Sequence, residues 1–203
     1  MSKEENNTQV NTQEEAATVD KKKKKINKKS IFKGVFNWFL LIFIAAIAGY
    51  SLITFLFQTV HVIGPSMNNT LQDGQVVIVN KIAYTLGDVE RYDIIAFSQV
   101  ENENYYEIKR VIGLPGETVQ IKDGFIYIDG VRLENTPYDE RILTSGIAAD
   151  GIKLSKDEYF VLGDNVNNSE DSRYKNVGNI SKSEILGKVV YILNPKEDRG
   201  KVK

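Results

Sequence analysis

The chain has 203 residues and a formal net charge of −1, with one histidine and no cysteine. The missing cysteines exclude a disulfide framework, a thiolate zinc site and a cysteine nucleophile, and a lone histidine excludes any metal site built from two or more, HExxH included. Charge is unevenly spread: residues 1–57 hold nine Lys/Arg and five Asp/Glu, while 58–203 hold seventeen and twenty-two, an acidic balance that argues against a nucleic-acid partner.

Residues 1–20 are polar and free of aromatics. They cannot bury enough apolar surface to offset the entropy of ordering, so 1–33 is expected to be a disordered, lysine-rich tail. Eight lysines lie between Lys21 and Lys33. Alone they read equally as a nucleic-acid patch or a solvated run. The next stretch decides: WFLLIFIAAIAGYSLITFLF, residues 38–57, carries no charge. As a helix it would span roughly 30 Å, the hydrocarbon thickness of a bilayer. A single transmembrane helix is therefore expected within 34–58. The lysines on its N-terminal side predict a cytoplasmic N-terminus, a single pass through the cell membrane and an extracytoplasmic remainder, and they suit contact with anionic headgroups. Two rivals stand beside this reading. One is a buried core helix, which the missing polar face disfavours. The other is a cleaved signal peptide, with Ala46-Ile47-Ala48 as its small-x-small site; the apolar run continues past Ala48, which favours an uncleaved anchor.

After the anchor the pattern changes to period two. QVVIVNKIAY, DIIAFSQV, YYEIKRVIGL, TVQIKDGFIYIDG, YFVLGDN and GKVVYILNP read as strands. Asp123-Gly124 and Asp129-Gly130 mark two tight turns. Residues 134–158 have weak periodicity and read as a surface excursion. The expected domain, 59–203, is mostly β.

Ser-His-Asp catalysis would need His61 opposite a serine, yet His61 lies five residues before Ser66 on one extended segment, where it could hardly face it. A serine can instead be activated by a neutral lysine, and desolvation inside an apolar strand favours that form. Lys109, flanked by Ile108, Val111 and Ile112, fits this requirement. Alternation sets Lys109 and Arg110 on opposite faces, so one of them must point inward or pair with a carboxylate; of the two, only lysine sheds its proton. A solvated charge pair at a strand end explains the same residues. In LGDNVNNSEDSR, residues 162–173, short polar side chains suit turns, and Asp171 and Arg173, two apart, are spaced to pair in extended backbone.

Together these stretches resemble the bacterial type I signal peptidases, membrane-bound serine proteases that remove signal peptides. The resemblance covers roughly residues 35–195. It rests on GPSMNNTL, RYDIIAF, YEIKRVIGLPGE and LGDNVNNSEDSR, in the family's order after an N-terminal anchor. It implies a signal-peptidase-like β-barrel or twisted-sheet catalytic domain. It also implies Ser66 as nucleophile, Lys109 as general base, Ser169 as the hydroxyl that orients the lysine, Asp171 and Arg173 as a supporting pair, Asp164 as a loop-ordering carboxylate and Met67 as a residue packed beside site and substrate. The Ser66 amide would be one oxyanion donor. Where some relatives carry a second hydroxyl donor stands Gly64. Two positions depart from the pattern. Asn69 replaces a proline, and Val166 replaces an arginine, whose loss would remove an ion-pair partner from a carboxylate.

The resemblance implies an endopeptidase that cleaves exported preproteins after small residues at −3 and −1, with no metal or cofactor. The two departures motivate an alternative, a peptidase-shaped assembly factor that binds pilins or surface proteins without cutting them. A self-cleaving repressor of the related Ser/Lys fold would need a DNA-binding helical domain in place of the membrane helix.

Overall fold

The computed structural model describes residues 28–99 and 105–202; positions 1–27 of the expected tail lie outside them. The first helix, α1, runs Lys28–Leu56. Within it Phe32–Leu56, 25 residues of mean hydropathy 2.4, is long and apolar enough to cross a membrane, and its most apolar window is entirely unburied. Exposed Trp38, Phe39, Leu41 and Phe43 are the opposite of what a core helix presents. The chain divides into two units, one ending at Tyr50 and one beginning at Ser51.

The second unit is built from antiparallel strands. β1 (Phe57–His61), β2 (Val76–Asn80), β3 (Ile94–Phe97), β4 (Glu107–Gly113), β9 (Glu158–Leu162), β10 (Ile180–Ser181) and β11 (Ile185–Asn194) form the large sheet in the order β1-β2-β11-β3-β4-β9-β10, with β12 (Gly200–Lys201) pairing on β11. Among the described residues the path has two ends, β1 and β10. The mostly β domain built on a barrel-like, twisted sheet is the one expected, and its sheet is open at these two ends. A smaller sheet orders β7 (Val131–Arg132), β6 (Phe125–Ile128), β5 (Thr118–Lys122) and β8 (Ile152–Lys153). Its two tight turns fall on Asp123-Gly124 and Asp129-Gly130, all four at positive φ, the conformation that Asp-Gly selects for a two-residue hairpin.

Both faces of the central strands are covered, which is why these strands are continuous apolar runs. On β3, Ile94 and Ala96 join a core with Met67, Leu71, Val77, Val79 and Ile108. Ile95 and Phe97 join another with Val111, Tyr159 and Val161. Residues 134–158 contribute Ile142, Ala148 and Leu154 to a third core around Phe160 and Leu162. The buried positions on β4 include two charges, Lys109 and Arg110.

One consequence concerns alkaline stability. Tyr84 donates to Asp93 Oδ2 at 3.0 Å. Burial first, and the Asp93 carboxylate second, raise its pKa far above the ordinary phenol value. Burial also raises Tyr138 and Tyr159. The unfolded chain ionises these phenols near about pH 10, whereas the folded protein keeps them neutral. The stability they contribute is therefore complete below that pH and lost as pH rises beyond it. Urea midpoints measured from pH 8 upward are expected to fall steadily above about pH 10, and Tyr84→Phe is expected to flatten the fall. A wild-type midpoint that stayed level to pH 11.5 would contradict this.

Candidate active site

Ser66 rides in the loop that joins β1 to β2. The loop is closed at its stem by Val62 N–H to Gln75 O (2.9 Å) and Gly74 N–H to Val62 O (3.0 Å). Gly64, at φ +81, donates its N–H to Asp73 Oδ1 at 2.8 Å, so that amide is already engaged within the loop. Met67 and Leu71, 1% and 0% exposed, sink into the core on either side of the turn. The Met67 carbonyl accepts from the Thr70 and Leu71 amides. Apolar anchoring at both residues thus fixes a loop that must present its serine outward.

Lys109 comes from β4, paired with Ile95 of β3. Its Nζ donates to Ser66 Oγ at 3.2 Å, and its side chain is 6% exposed. A second group reaches the same ammonium: Glu107 Oε2 lies 3.4 Å away. His61 ends β1 opposite Val76, exposed, and among the described residues no hydrogen bond links it to Ser66.

Arg110, the neighbour on β4, also finds a partner. Its Nε and Nη2 grip both oxygens of Asp164 at 2.7 Å, and Nη1 donates to Tyr92 O at 2.9 Å. Burial alone lowers the guanidinium's pKa, but the bonds and charge of Asp164 outweigh it and the net shift is upward. Thr70 Oγ1 also donates to Asp164, which ties the serine loop to the Gly163-Asp164-Asn165 segment. Asp171 and Arg173 form the second buried pair: Nε to Oδ1 at 2.7 Å and Nη2 to Oδ2 at 2.9 Å. Arg173 further donates to the carbonyls of Thr144, Val166 and Ser169, and Asp171 accepts from the Gly163 amide. Val166, where an arginine was expected, is 4% exposed and packs in the core around Phe160. Both aspartates have bidentate arginine partners without it, so its absence leaves neither of them unpaired.

Ser169 lies beside this group. Its Oγ is buried and has no hydrogen-bond partner among the described residues, Lys109 included. A Cβ added to Gly163 would stand 2.3 Å from Ser169 Oγ and 2.4 Å from the Ser66 carbonyl oxygen. The glycine is required because two polar segments pass against its Cα. Asn165, unassigned in the sequence reading, clamps the nucleophile's loop: its backbone N–H donates to Ser66 O and its Nδ2 to Pro65 O, both at 3.0 Å. Density of turn-forming residues was its only signal in the sequence, and that signal does not separate it from Asn167 or Asn168.

Asn69 has φ +87 and an exposed side chain. Proline cannot adopt that angle, whereas asparagine is among the non-glycine residues that most readily do. Asn69→Pro is expected to destabilise the loop by about 1–3 kcal/mol and to lower activity with it, while Asn69→Gly stays within about 0.5 kcal/mol of wild type. Melting temperatures of the two variants check this. A stabilised proline variant would show that the loop takes another conformation.

A narrow groove beside the Ser66–Lys109 pair is lined by Val62, Ile63, Met67, Tyr106 and Ile108. A second, wider depression runs on along Gln58, Val60 and His61.

Comparison with known proteins places these residues in context. A family model described as signal peptidase, peptidase S26, matches residues 35–194. The chain is 36% identical over 189 residues to signal peptidase I P of Bacillus subtilis subsp. natto, covering 88% of this chain and 100% of the relative. It is 36% identical over 169 residues to signal peptidase I T of Bacillus subtilis strain 168, covering 78% and 85%. A crystal structure of a signal peptidase I from Enterococcus faecalis V583 is 34% identical, with a TM-score of 0.40, covering 53% of this chain and 98% of that one.

Proposed function

This chain belongs to the bacterial type I signal peptidases of peptidase family S26, serine hydrolases that cleave signal peptides, and on that premise we propose a membrane-anchored endopeptidase in which Ser66 and Lys109 carry the reaction. The observation that supports this most is the 3.2 Å contact between Lys109 Nζ and Ser66 Oγ on a lysine sealed from solvent. In the reaction the neutral Lys109 amine takes the Ser66 proton as Oγ attacks the scissile carbonyl carbon. The tetrahedral oxyanion faces the Ser66 N–H, which no acceptor occupies among the described residues. Collapse transfers the proton from Lys109 to the leaving amine of the mature protein. The remaining acyl-enzyme is hydrolysed by a water that Lys109 deprotonates, and the signal peptide leaves with a new carboxylate. Asp164, Asp171, Arg173 and Ser169 support the site without touching the reacting atoms.

The substrate is an exported preprotein whose extended cleavage region lies in the groove, held by backbone pairing with side chains seated alternately. The groove at the Ser66–Lys109 pair is narrow beside the depression that runs along Gln58, Val60 and His61, which supports small residues at −1 and −3. The Phe32–Leu56 segment would anchor the protein in the cell membrane, with the lysines before it in the cytoplasm and the catalytic domain outside.

Full-length protein in detergent, mixed with a preprotein carrying alanine at −3 and −1, is expected to release a product whose first residue is the +1 residue. The same preprotein with phenylalanine at −1 is expected to remain intact. Cleavage at other bonds, or indifference to the −1 residue, would refute the assignment. N-terminal sequencing of the enzyme after the reaction tests self-cleavage at Ala46-Ile47-Ala48.

A further inference from the structure

The groove contains a charge that the reaction does not use. Among the described residues lining it, Glu107 and Lys109 are the charged pair, and Tyr105 and Tyr106 are the other titratable groups; His61 lies farther along. Glu107 is the carboxylate in reach of the base, at 3.4 Å, and its side chain is 29% exposed toward the groove, against 6% for Lys109. Glu107 and Lys109 are two apart on β4, so the pleat aligns them on one side of the strand. Register adds a constraint. Glu107 pairs with Phe97 at the end of the β3–β4 ladder, and its partly exposed side chain lines the groove.

While Lys109 carries its proton, the two side chains neutralise each other. The proposed chemistry starts from the neutral amine. At that moment the Glu107 carboxylate has lost its counter-charge and stands, partly exposed, beside Val62, Ile63, Met67 and Ile108. Asp164 and Asp171 face no such problem, since arginines hold both. A positive side chain on the bound substrate would restore the balance, and it would draw Glu107 away from Lys109 as it did so.

We propose that Glu107 is a specificity-determining residue: it recognises a basic side chain of the preprotein close to the scissile bond, exchanging Lys109 for the substrate's cation as its partner. The inference rests on the Ser66–Lys109 reading. The exchange involves no covalent step. It couples recognition to catalysis, because the substrate that satisfies Glu107 also leaves Lys109 to Ser66 alone.

The test uses full-length protein in detergent and one model preprotein with alanine at −3 and −1. Glutamine in the parent is replaced by lysine or glutamate, one position at a time, at −4, −2, +1 and +2. At one of these positions wild type is expected to cleave the lysine substrate with a kcat/KM about fivefold above the glutamate one, the order of a single partly exposed ion pair. The preference should shrink at high salt as the pair is screened. In Glu107→Gln the lysine and glutamate substrates should converge to within about twofold, with the cleaved bond unchanged. A merely structural role would lower all substrates alike and leave the ratio intact. Equal cleavage of all charge variants by wild type, or a lysine preference that survives in Glu107→Gln, overturns the proposal. If that variant folds poorly, the salt series on wild type decides, and a salt-independent preference counts against the exchange. Failure of the underlying reading looks different: the parent glutamine substrate itself would go uncut.

Discussion

Ser66→Ala and Lys109→Met are each expected to lower preprotein cleavage by about 10³-fold or more, and the double variant to fall no further than either single one. Such non-additivity is the signature of two groups acting as one unit, and the 3.2 Å contact between them is its structural basis. Methionine keeps the length and apolar stem of the lysine, so the buried position stays filled. Lys109→Arg discriminates further. It preserves a positive charge beside Glu107 and Ser66, but a guanidinium does not act as a base. That variant should be as inactive as the methionine one. Circular dichroism and melting temperature should place Ser66→Ala and Lys109→Met among folded proteins, because Ser66 is only half-buried and on a loop and methionine fills the lysine's place. Wild-type rates in Ser66→Ala, or in any Lys109 variant, would remove the mechanism.

Arg173→Met is expected to cost about 3–5 kcal/mol, the usual penalty for stripping one partner from a buried ion pair. Arg173 is 2% exposed and Asp171 0%. Without the guanidinium, the carboxylate keeps the Gly163 amide but loses its counter-charge. The carbonyls of Thr144, Val166 and Ser169 lose a shared donor at the same time. For a domain of this size the loss corresponds to a fall in Tm of about 6–20 °C. Arg173→Lys should recover little, since a single ammonium cannot reproduce the planar fork. Asp171→Asn combined with Arg173→Met should cost less than the two singles added together, because removing both charges leaves neither stranded. A Tm within two degrees of wild type in Arg173→Met would show that the pair is solvated. The Arg110–Asp164 pair, similarly buried, is expected to behave alike.

Much of the architecture was legible because it is local. A charge-free run of twenty residues marks an apolar helix, and Asp-Gly fixes its own turn. Residue chemistry and a family resemblance singled out Ser66 and Lys109, which the fold sets 3.2 Å apart. The two charges on β4 were less so. Alternation required one of Lys109 and Arg110 to be buried or paired; both are buried and both are paired. Ser169 shows the opposite gap. Its position matches a lysine-orienting hydroxyl, yet its Oγ packs against Gly163 with no hydrogen bond among the described residues.

The departures at Asn69 and Val166 separate what residue identity settles from what folding adds. The sequence determined that a proline and an arginine were missing, that a serine and a lysine were present, and that an apolar segment preceded them. It did not determine which partner each charge would take. Arg110 and Asp164 are 54 residues apart, Lys109 and Ser66 43. These distances are closed by the register of β4 against β3 and β9 and by loops pinned at Met67 and Leu71. Pairing across such separations depends on the packing of the whole sheet, which no single stretch encodes. For the same reason a φ of +87 at Asn69 and an arginine for each of Asp164 and Asp171 became visible only once the chain was folded.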